Sequence, residues 1–435
     1  MLRKLTFYVV TLLLLWPAAQ RWTAAQAPAP QAKDQQEADL FNSILKETNP
    51  NTQLQLLNEW KQKYPDTALI QQRLGFYMQV FQALNQGANA VNAANELLKL
   101  APDNFGAYLT LALFTPFLGS TAPDVLANGE KAGNFLLQHA GEQFAPEKKP
   151  ANVTNANWAQ LKETALIAAH QTLGWVAKAQ KKFEVAEQEL IKTLDLSPNS
   201  AFVSYWLGEA VRDQKNPDKT TLALYSFARA AAYNGPGALQ PQGRQQVNTY
   251  LTKIYTLFHG DDSGLAELKA MATKEPLPPP DFKIKSSAEV QADKEEELRK
   301  TNPLLAVFMR IKEGLTGPEG TSFWNEMKGK AMPELRGTVV SAKPAVKPKV
   351  VELAMSQSQT AEVTLTNPET SARCKLDPGA VINFKDAEAK DFTPTPFMLK
   401  LDGGKITSGC AEAPPPAKKT PGKASPKAGA KKKAG

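Results

Sequence analysis

Residues 167–200 read IAAHQTLGWVAKAQKKFEVAEQELIKTLDLSPNS and decide the fold. Within 183–195 the apolar residues recur at steps of three and four, which is the period of an α-helix. Leu173-Gly174 and Leu207-Gly208 lie 34 residues apart, and Pro198 closes the first segment because proline cannot continue a helix. The small residue in the first helix lets a second helix approach it closely. The segment therefore predicts a pair of packed helices that repeats along the chain.

Two further segments show the same spacing. The copy that begins at Leu207-Gly208 closes with Pro236, and an earlier copy runs from Leu74-Gly75 to Ala101-Pro102. These motifs resemble the tetratricopeptide (TPR) repeat, in which a Leu-Gly pair, a later Ala, a large apolar residue and a closing Pro recur about every 34 residues. The resemblance implies a mainly α protein, with residues 28–275 forming a TPR-type α-solenoid.

In such a solenoid the first helices of the pairs line a groove that holds an extended peptide or a helix. The repeat positions that face this groove carry over to three sets of residues. They are Gln72, Phe76 and Gln79; Gln171, Trp175 and Lys178; and Tyr205, Glu209 and Arg212. The alternative is that Trp175, Phe202 and Tyr205 pack between helices. The sets lack the Lys/Asn pattern with which some TPR proteins hold a C-terminal carboxylate, so binding of chaperone tails is not expected.

The first 27 residues have the layout of a secretory signal peptide. Arg3 and Lys4 precede a short apolar stretch, and the segment ends in Ala25-Gln26-Ala27. A basic start, an apolar middle and an A-x-A site predict cleavage after Ala27 and export to the periplasm or the cell exterior. The alternative is an uncleaved membrane anchor. A lipoprotein is not expected, because the first cysteine of the chain is Cys374.

The charge of the chain is concentrated at its two ends. The formal net charge is +8, of which residues 1–27 hold +3 and residues 411–435 hold +6. Residues 28–410 therefore carry a net charge of −1. A nearly neutral body argues against a globally basic surface for nucleic acid.

A break in composition separates the helical region from a second domain. Three consecutive prolines at 278–280 cannot lie inside a helix, so we expect 276–333 to be a proline-rich linker with connector helices. Beyond Pro333, short runs rich in Val, Leu, Ile and Phe alternate with turn residues, which predicts a small β domain over 334–410. The predicted strands are 334–341, 349–355, 361–366, 380–384 and 397–406. Their order resembles an OB-fold-like barrel.

The β domain also holds both cysteines. An exported protein can form a disulfide between Cys374 and Cys410, and the alternative is two separate buried thiols. Residues 411–435 contain no large apolar residue and are predicted to be a disordered tail. The tail could contact an anionic surface, or simply keep the protein soluble. Its basic residues are Lys418, Lys419, Lys423, Lys427, Lys431, Lys432 and Lys433.

The chain carries no linear signature of an enzyme. There is no GxGxxG, Walker A, GxSxG or HExxH motif, and His139, His170 and His259 are far apart in sequence. We therefore expect no catalytic residues, no metal and no cofactor. The predicted function is an exported, non-catalytic scaffold that binds a protein or peptide partner in the cell envelope. The alternatives are a protein that binds nucleic acid or an anionic polymer through the barrel and tail, and an enzyme with its site near the His259 loop or the domain junction.

Overall fold

The computed structural model of the protein describes residues 31–356 and 359–415. The predicted signal peptide, 1–27, and the lysines of the predicted tail lie outside these residues. The chain divides after Ser287 into two compact units, which we call the helical unit and the barrel unit. Among the helices of the described ranges, none is both long and apolar enough to cross a bilayer.

The helical unit is built from twelve α-helices in the described residues, joined by short turns. They are α1 (Gln35–Lys46), α2 (Pro50–Lys63), α3 (Ile70–Ala83), α4 (Gly87–Leu100), α5 (Phe105–Phe114), α6 (Pro123–Gln143), α7 (Asn155–Ala179), α8 (Phe183–Leu196), α9 (Ala201–Asp213), α10 (Thr220–Ala232), α11 (Pro241–His259) and α12 (Leu265–Lys274). The pairs α3/α4, α7/α8 and α9/α10 coincide with the three repeat copies recognised in the sequence.

The glycines of the repeat lie where two helices of a pair touch. A Cβ atom added to Gly174 in α7 would lie 2.7 Å from Leu190 Cγ in α8, and one added to Gly208 in α9 would lie 3.0 Å from the Phe227 ring in α10. The side chains of Leu190 and Phe227 are fully buried. The close helix contact that the sequence predicts is therefore present. The stack of helix pairs, followed by the barrel described below, confirms the predicted fold class.

The proline-containing segment after α12 packs against the helical unit. Phe282 lies edge-on to Tyr225 with ring centroids 6.0 Å apart, and Ile284 is only 5% exposed. The Ile284 amide donates a hydrogen bond to Thr221 Oγ1 at 3.1 Å. The predicted linker, 276–333, is thus divided between the two units, because its apolar residues find buried positions in each.

The barrel unit contains three helices and seven strands in the described residues, and α13 begins at the unit boundary. They are α13 (Ser287–Thr301), α14 (Pro303–Thr316), α15 (Gly320–Met327), β1 (Leu335–Lys343), β2 (Val350–Ala354), β3 (Val363–Thr366), β4 (Cys374–Lys375), β5 (Val381–Pro394), β6 (Phe397–Ser408) and β7 (Ala411–Glu412). Five strands close into a barrel in the order β1-β2-β3-β6-β5. The β3–β6 pairing is parallel and the other pairings are antiparallel.

Helix α14 packs against the core of this barrel. Phe308 is fully buried and meets Phe397 with ring centroids 6.0 Å apart. Lys312 Nζ lies 2.7 Å from Oε1 of Glu362, a carboxylate that is only 5% exposed. The helix is therefore held by both apolar and ionic contacts.

Strand β5 extends well beyond the predicted 380–384. Beyond Phe384 the strand contains Ala387 and Ala389, which are fully buried and alternate with charged residues that are exposed or half-buried. Alanine, glutamate and lysine favour helices intrinsically. Pairing with β6 and burial of alternate side chains override this local preference.

Candidate functional site

Polar side chains from the first helices of three consecutive pairs meet on one surface of the helical unit. Lys178 of α7 forms an ion pair with Glu209 of α9, with Nζ and Oε2 2.8 Å apart. One turn further along α9, Arg212 Nη1 donates a hydrogen bond to the Tyr250 hydroxyl of α11 at 3.0 Å. We call Lys178, Tyr205, Glu209, Arg212 and Tyr250 the groove strip.

The aromatic members of the strip rest on a buried ring. Phe227 is fully buried and lies 5.9 Å from Tyr205 and 5.2 Å from Tyr250 between ring centroids, edge-on in both cases. Burial, together with the neighbouring carboxylate of Glu209, raises the pKa of Tyr205 to about 12. The Tyr205 hydroxyl therefore stays protonated at neutral pH and can act as a hydrogen-bond donor.

Arg212 is the most accessible of the sequence-predicted groove residues. Its side chain is 41% exposed, and its Nε donates to Asp213 Oδ1 at 2.7 Å. The guanidinium carbon lies 5.8 Å from the centroid of the Tyr250 ring. The hydrogen bond to Asp213 raises the pKa of Arg212 above its ordinary value, so the guanidinium stays charged. A fixed, charged and planar donor of this kind suits carboxylate recognition.

Two predicted groove residues belong to the helical core instead. Phe76 is 9% exposed and Trp175 is 8% exposed, and each packs within a cluster of buried apolar side chains. This corrects the prediction that they line an open surface. The physical reason is that large rings gain the most free energy from burial between neighbouring helices.

The remaining predicted positions are glutamines that lie apart from the ionic contacts of the strip. Gln72 and Gln79 lie on α3, near the beginning of the unit, and Gln171 lies on α7. All three are half-buried. Gln72 Oε1 is buried and accepts no hydrogen bond from the residues that the structure describes.

Sequence reasoning missed Tyr250 because α11 lacks the Leu-Gly pair by which the three repeat copies are recognised. The available signal was its spacing. Tyr250, Lys253 and Leu257 follow one another at steps of three and four on one helix face. The same helix buries Val247 and Leu251 on its other side. Helix α11 thus continues the surface formed by α7 and α9.

The histidines make local contacts. His170 Nδ1 lies 2.7 Å from Glu189 Oε2, which joins α7 to α8, and the His139 ring contacts the Phe135 ring at a tilt, with centroids 4.3 Å apart. His259 Nδ1 lies 2.8 Å from the Lys285 carbonyl oxygen, and its Nε2 lies 3.1 Å from Ser263 Oγ. In the described ranges no three His, Cys, Asp or Glu side chains are grouped as a metal site would require.

The cysteines and the aromatic rings of the barrel unit have structural surroundings. Cys374 and Cys410 are joined by a disulfide, with their Cα atoms 5.0 Å apart. Phe384 is fully buried, and Phe392 lies 5.0 Å from Trp324 between ring centroids. Phe397 packs on Phe308, as described above. These three phenylalanines therefore form no row of open rings on which bases could stack.

Comparisons with known proteins add little to this geometry. No protein-family model matches the chain, and no curated protein matches it. Among solved structures, one described as the MamA RS-1 ArsTM double mutant is 16% identical in sequence, with 50% of this chain and 98% of that chain covered and a TM-score of 0.26. A likeness this low carries no argument about function, so the functional argument rests on the chain's own residues.

Proposed function

We propose that this protein is an exported, non-catalytic scaffold of the cell envelope that binds a protein or peptide partner along the groove strip. The observation that carries the proposal is the strip itself. It spans three successive first helices and holds partly exposed charged and aromatic groups in fixed positions. Stacked helical repeats present such surfaces to extended peptides and helices. Export is supported by the signal-peptide layout of residues 1–27.

A capture experiment tests the binding proposal. Residues 28–435, which include every residue that the structure describes, serve as bait for envelope extract beside a Lys178→Ala, Arg212→Ala variant. The control is Lys192→Ala, which removes another lysine–glutamate pair, on α8 outside the strip. Trp175 is left intact because its truncation would open a cavity in the core. A partner that the wild type and control capture, and the double variant loses, supports the proposal. Equal capture by all three refutes it.

Export has a separate test. The protein is expressed in a Gram-negative host, the cells are fractionated, and the intact mass of the product is measured. The proposal expects a periplasmic or secreted product that lacks residues 1–27. Retention of the full chain in the cytoplasm would refute export and leave the binding proposal to be judged on its own test.

The barrel supports a second candidate, the binding of nucleic acid or another anionic polymer. Its strand order, with a parallel pairing of β3 and β6, supports the OB-like interpretation, and OB-type barrels bind strands in several protein classes. Because the rings of Phe384, Phe392 and Phe397 pack against other side chains, binding would depend on the tail lysines. Removal of 416–435, which keeps the paired residues Ala411 and Glu412, should then abolish salt-sensitive binding of a single-stranded oligonucleotide. Unchanged binding would refute this candidate.

A further inference from the structure

One face of α11 combines positive charge with an exposed apolar side chain. The 19 residues of this helix include Arg244, Lys253 and His259 but no aspartate or glutamate. Leu257, on the same face as Lys253 and Tyr250, is 81% exposed, the highest value among the large apolar side chains that the structure describes. The opposite side of the helix is filled by buried side chains, including Leu251. Core packing therefore does not account for Leu257.

The positive charge near this face is only partly neutralised. Arg212 uses Nε for Asp213 and Nη1 for Tyr250, and its Nη2 makes no hydrogen bond within the described residues. Lys253 is exposed and forms no ion pair in the part of the chain that the structure describes. Glu209, the one carboxylate of the groove strip, is already paired with Lys178. The surface can therefore accept a carboxylate without displacing an internal partner.

We propose that Arg212, Tyr250, Lys253 and Leu257 bind an acidic, amphipathic peptide segment of a partner protein. Lys253 and Leu257 lie one helical turn apart, so the matching segment carries a carboxylate and a large apolar side chain at a similar separation. The carboxylates meet Lys253 and the free edge of Arg212, and the apolar side chain covers Leu257. This inference rests on the proposed function and names the chemistry of the partner.

The probe is a fluorescein-labelled 15-residue helical peptide built from glutamate and leucine, with two matched peptides in which glutamine or lysine replaces every glutamate. Fluorescence anisotropy measures their binding to residues 28–435. We expect the acidic peptide to bind at least tenfold more tightly than either matched peptide. Its affinity should fall as salt concentration rises.

Three variants test the location of the binding surface, and two further variants serve as controls. Lys253→Glu and Leu257→Ser should each weaken binding of the acidic peptide at least tenfold, and Arg212→Gln should weaken it severalfold. Val185→Ser and Lys192→Glu change an exposed valine and an exposed lysine on α8, away from this face, and should leave the affinity unchanged. Circular dichroism checks that each variant is folded.

Several outcomes would overturn the inference. One is equal binding of the three peptides, and another is equal affinity of the α11 variants and their controls for the acidic peptide. A third is that a single-stranded oligonucleotide or anionic lipid vesicles compete for the surface as effectively as unlabelled acidic peptide does. If the acidic peptide fails to bind while the Lys178→Ala, Arg212→Ala variant still loses a captured envelope partner, the chemistry proposed here is wrong and the proposed function stands. If both experiments fail, both are wrong.

Discussion

Replacing Gly174 by alanine should destabilise the helical unit, although alanine is the better helix former. The added Cβ atom would lie 2.7 Å and 2.8 Å from two side-chain carbons of Leu190 and 3.3 Å from its backbone nitrogen. Leu190 is fully buried, so it cannot swing into solvent. Alanine in place of glycine gains about 1 kcal/mol of helix propensity. Overpacking of a buried contact costs about 1–3 kcal/mol. Because backbone and side chain must both move here, we place the cost near the upper end.

The expected net loss is about 1–2 kcal/mol, which corresponds to a fall in Tm of roughly 2–8 °C for a unit of this size. Gly141 provides the matched control. It lies in the last turn of α6, and apart from its chain neighbours and the helix's own backbone no heavy atom lies within 4 Å of its added Cβ. Gly141→Ala should therefore gain helix propensity without a clash and stabilise the unit by about 0.5–1 kcal/mol.

The assay is urea and thermal denaturation followed by circular dichroism, with both variants and a double-mutant cycle. A Leu190→Ala background removes the two side-chain carbons at 2.7 Å and 2.8 Å and leaves only the 3.3 Å approach to the backbone nitrogen, so Gly174→Ala should become neutral or stabilising there. A Gly174→Ala protein as stable as Gly141→Ala would refute the reasoning. It would mean that α7 and α8 are not in close contact at this glycine.

Three further predictions concern buried polar groups and the disulfide. Burial opposes ionisation of Glu362, but hydrogen bonds, the strongest from Lys312, hold its pKa below 4.5. Its carboxylate therefore stabilises the barrel unit at neutral pH, and this contribution is lost as pH falls below 4.5. Glu362→Gln should weaken the fall of Tm with pH on the acidic side of a Tm-against-pH curve. An unchanged fall of Tm would contradict this. Reducing the Cys374–Cys410 bond, which links residues 36 apart, should lower the free energy of unfolding of the barrel unit by about 3–4 kcal/mol, as measured by urea denaturation. Equal denaturation midpoints with and without reductant would contradict this. Arg229 is 1% exposed and donates hydrogen bonds to three carbonyl oxygens, two at the end of α12 and one before α9. Arg229→Met should therefore lower the free energy of unfolding by about 3 kcal/mol and speed amide hydrogen exchange at the end of α12. Wild-type exchange rates there would contradict this and show that water replaces the guanidinium.

The repeating helix pairs could be read from the amino-acid sequence because their signals are local. The Leu-Gly pairs and the closing prolines specify close contact and a turn within a single segment of 34 residues. Strand positions in the barrel unit followed from alternation such as Val363 and Leu365 with the threonines between them. The length of β5 could not be read in this way, because its Ala-Glu-Ala-Lys stretch becomes a strand only through pairing with β6.

The candidate site depended on tertiary structure to a greater degree. The repeat pattern placed Lys178, Glu209 and Arg212 on first helices, but an ion pair between α7 and α9 depends on how the two helices pack. The same pattern did not separate Trp175, which is buried, from Tyr205, which is half-buried, because both are large rings at groove positions. Sequence periodicity determines which side of a helix a residue occupies. Only packing between helices decides whether that side meets solvent, an ion-pair partner or another ring, since those neighbours come from distant parts of the chain.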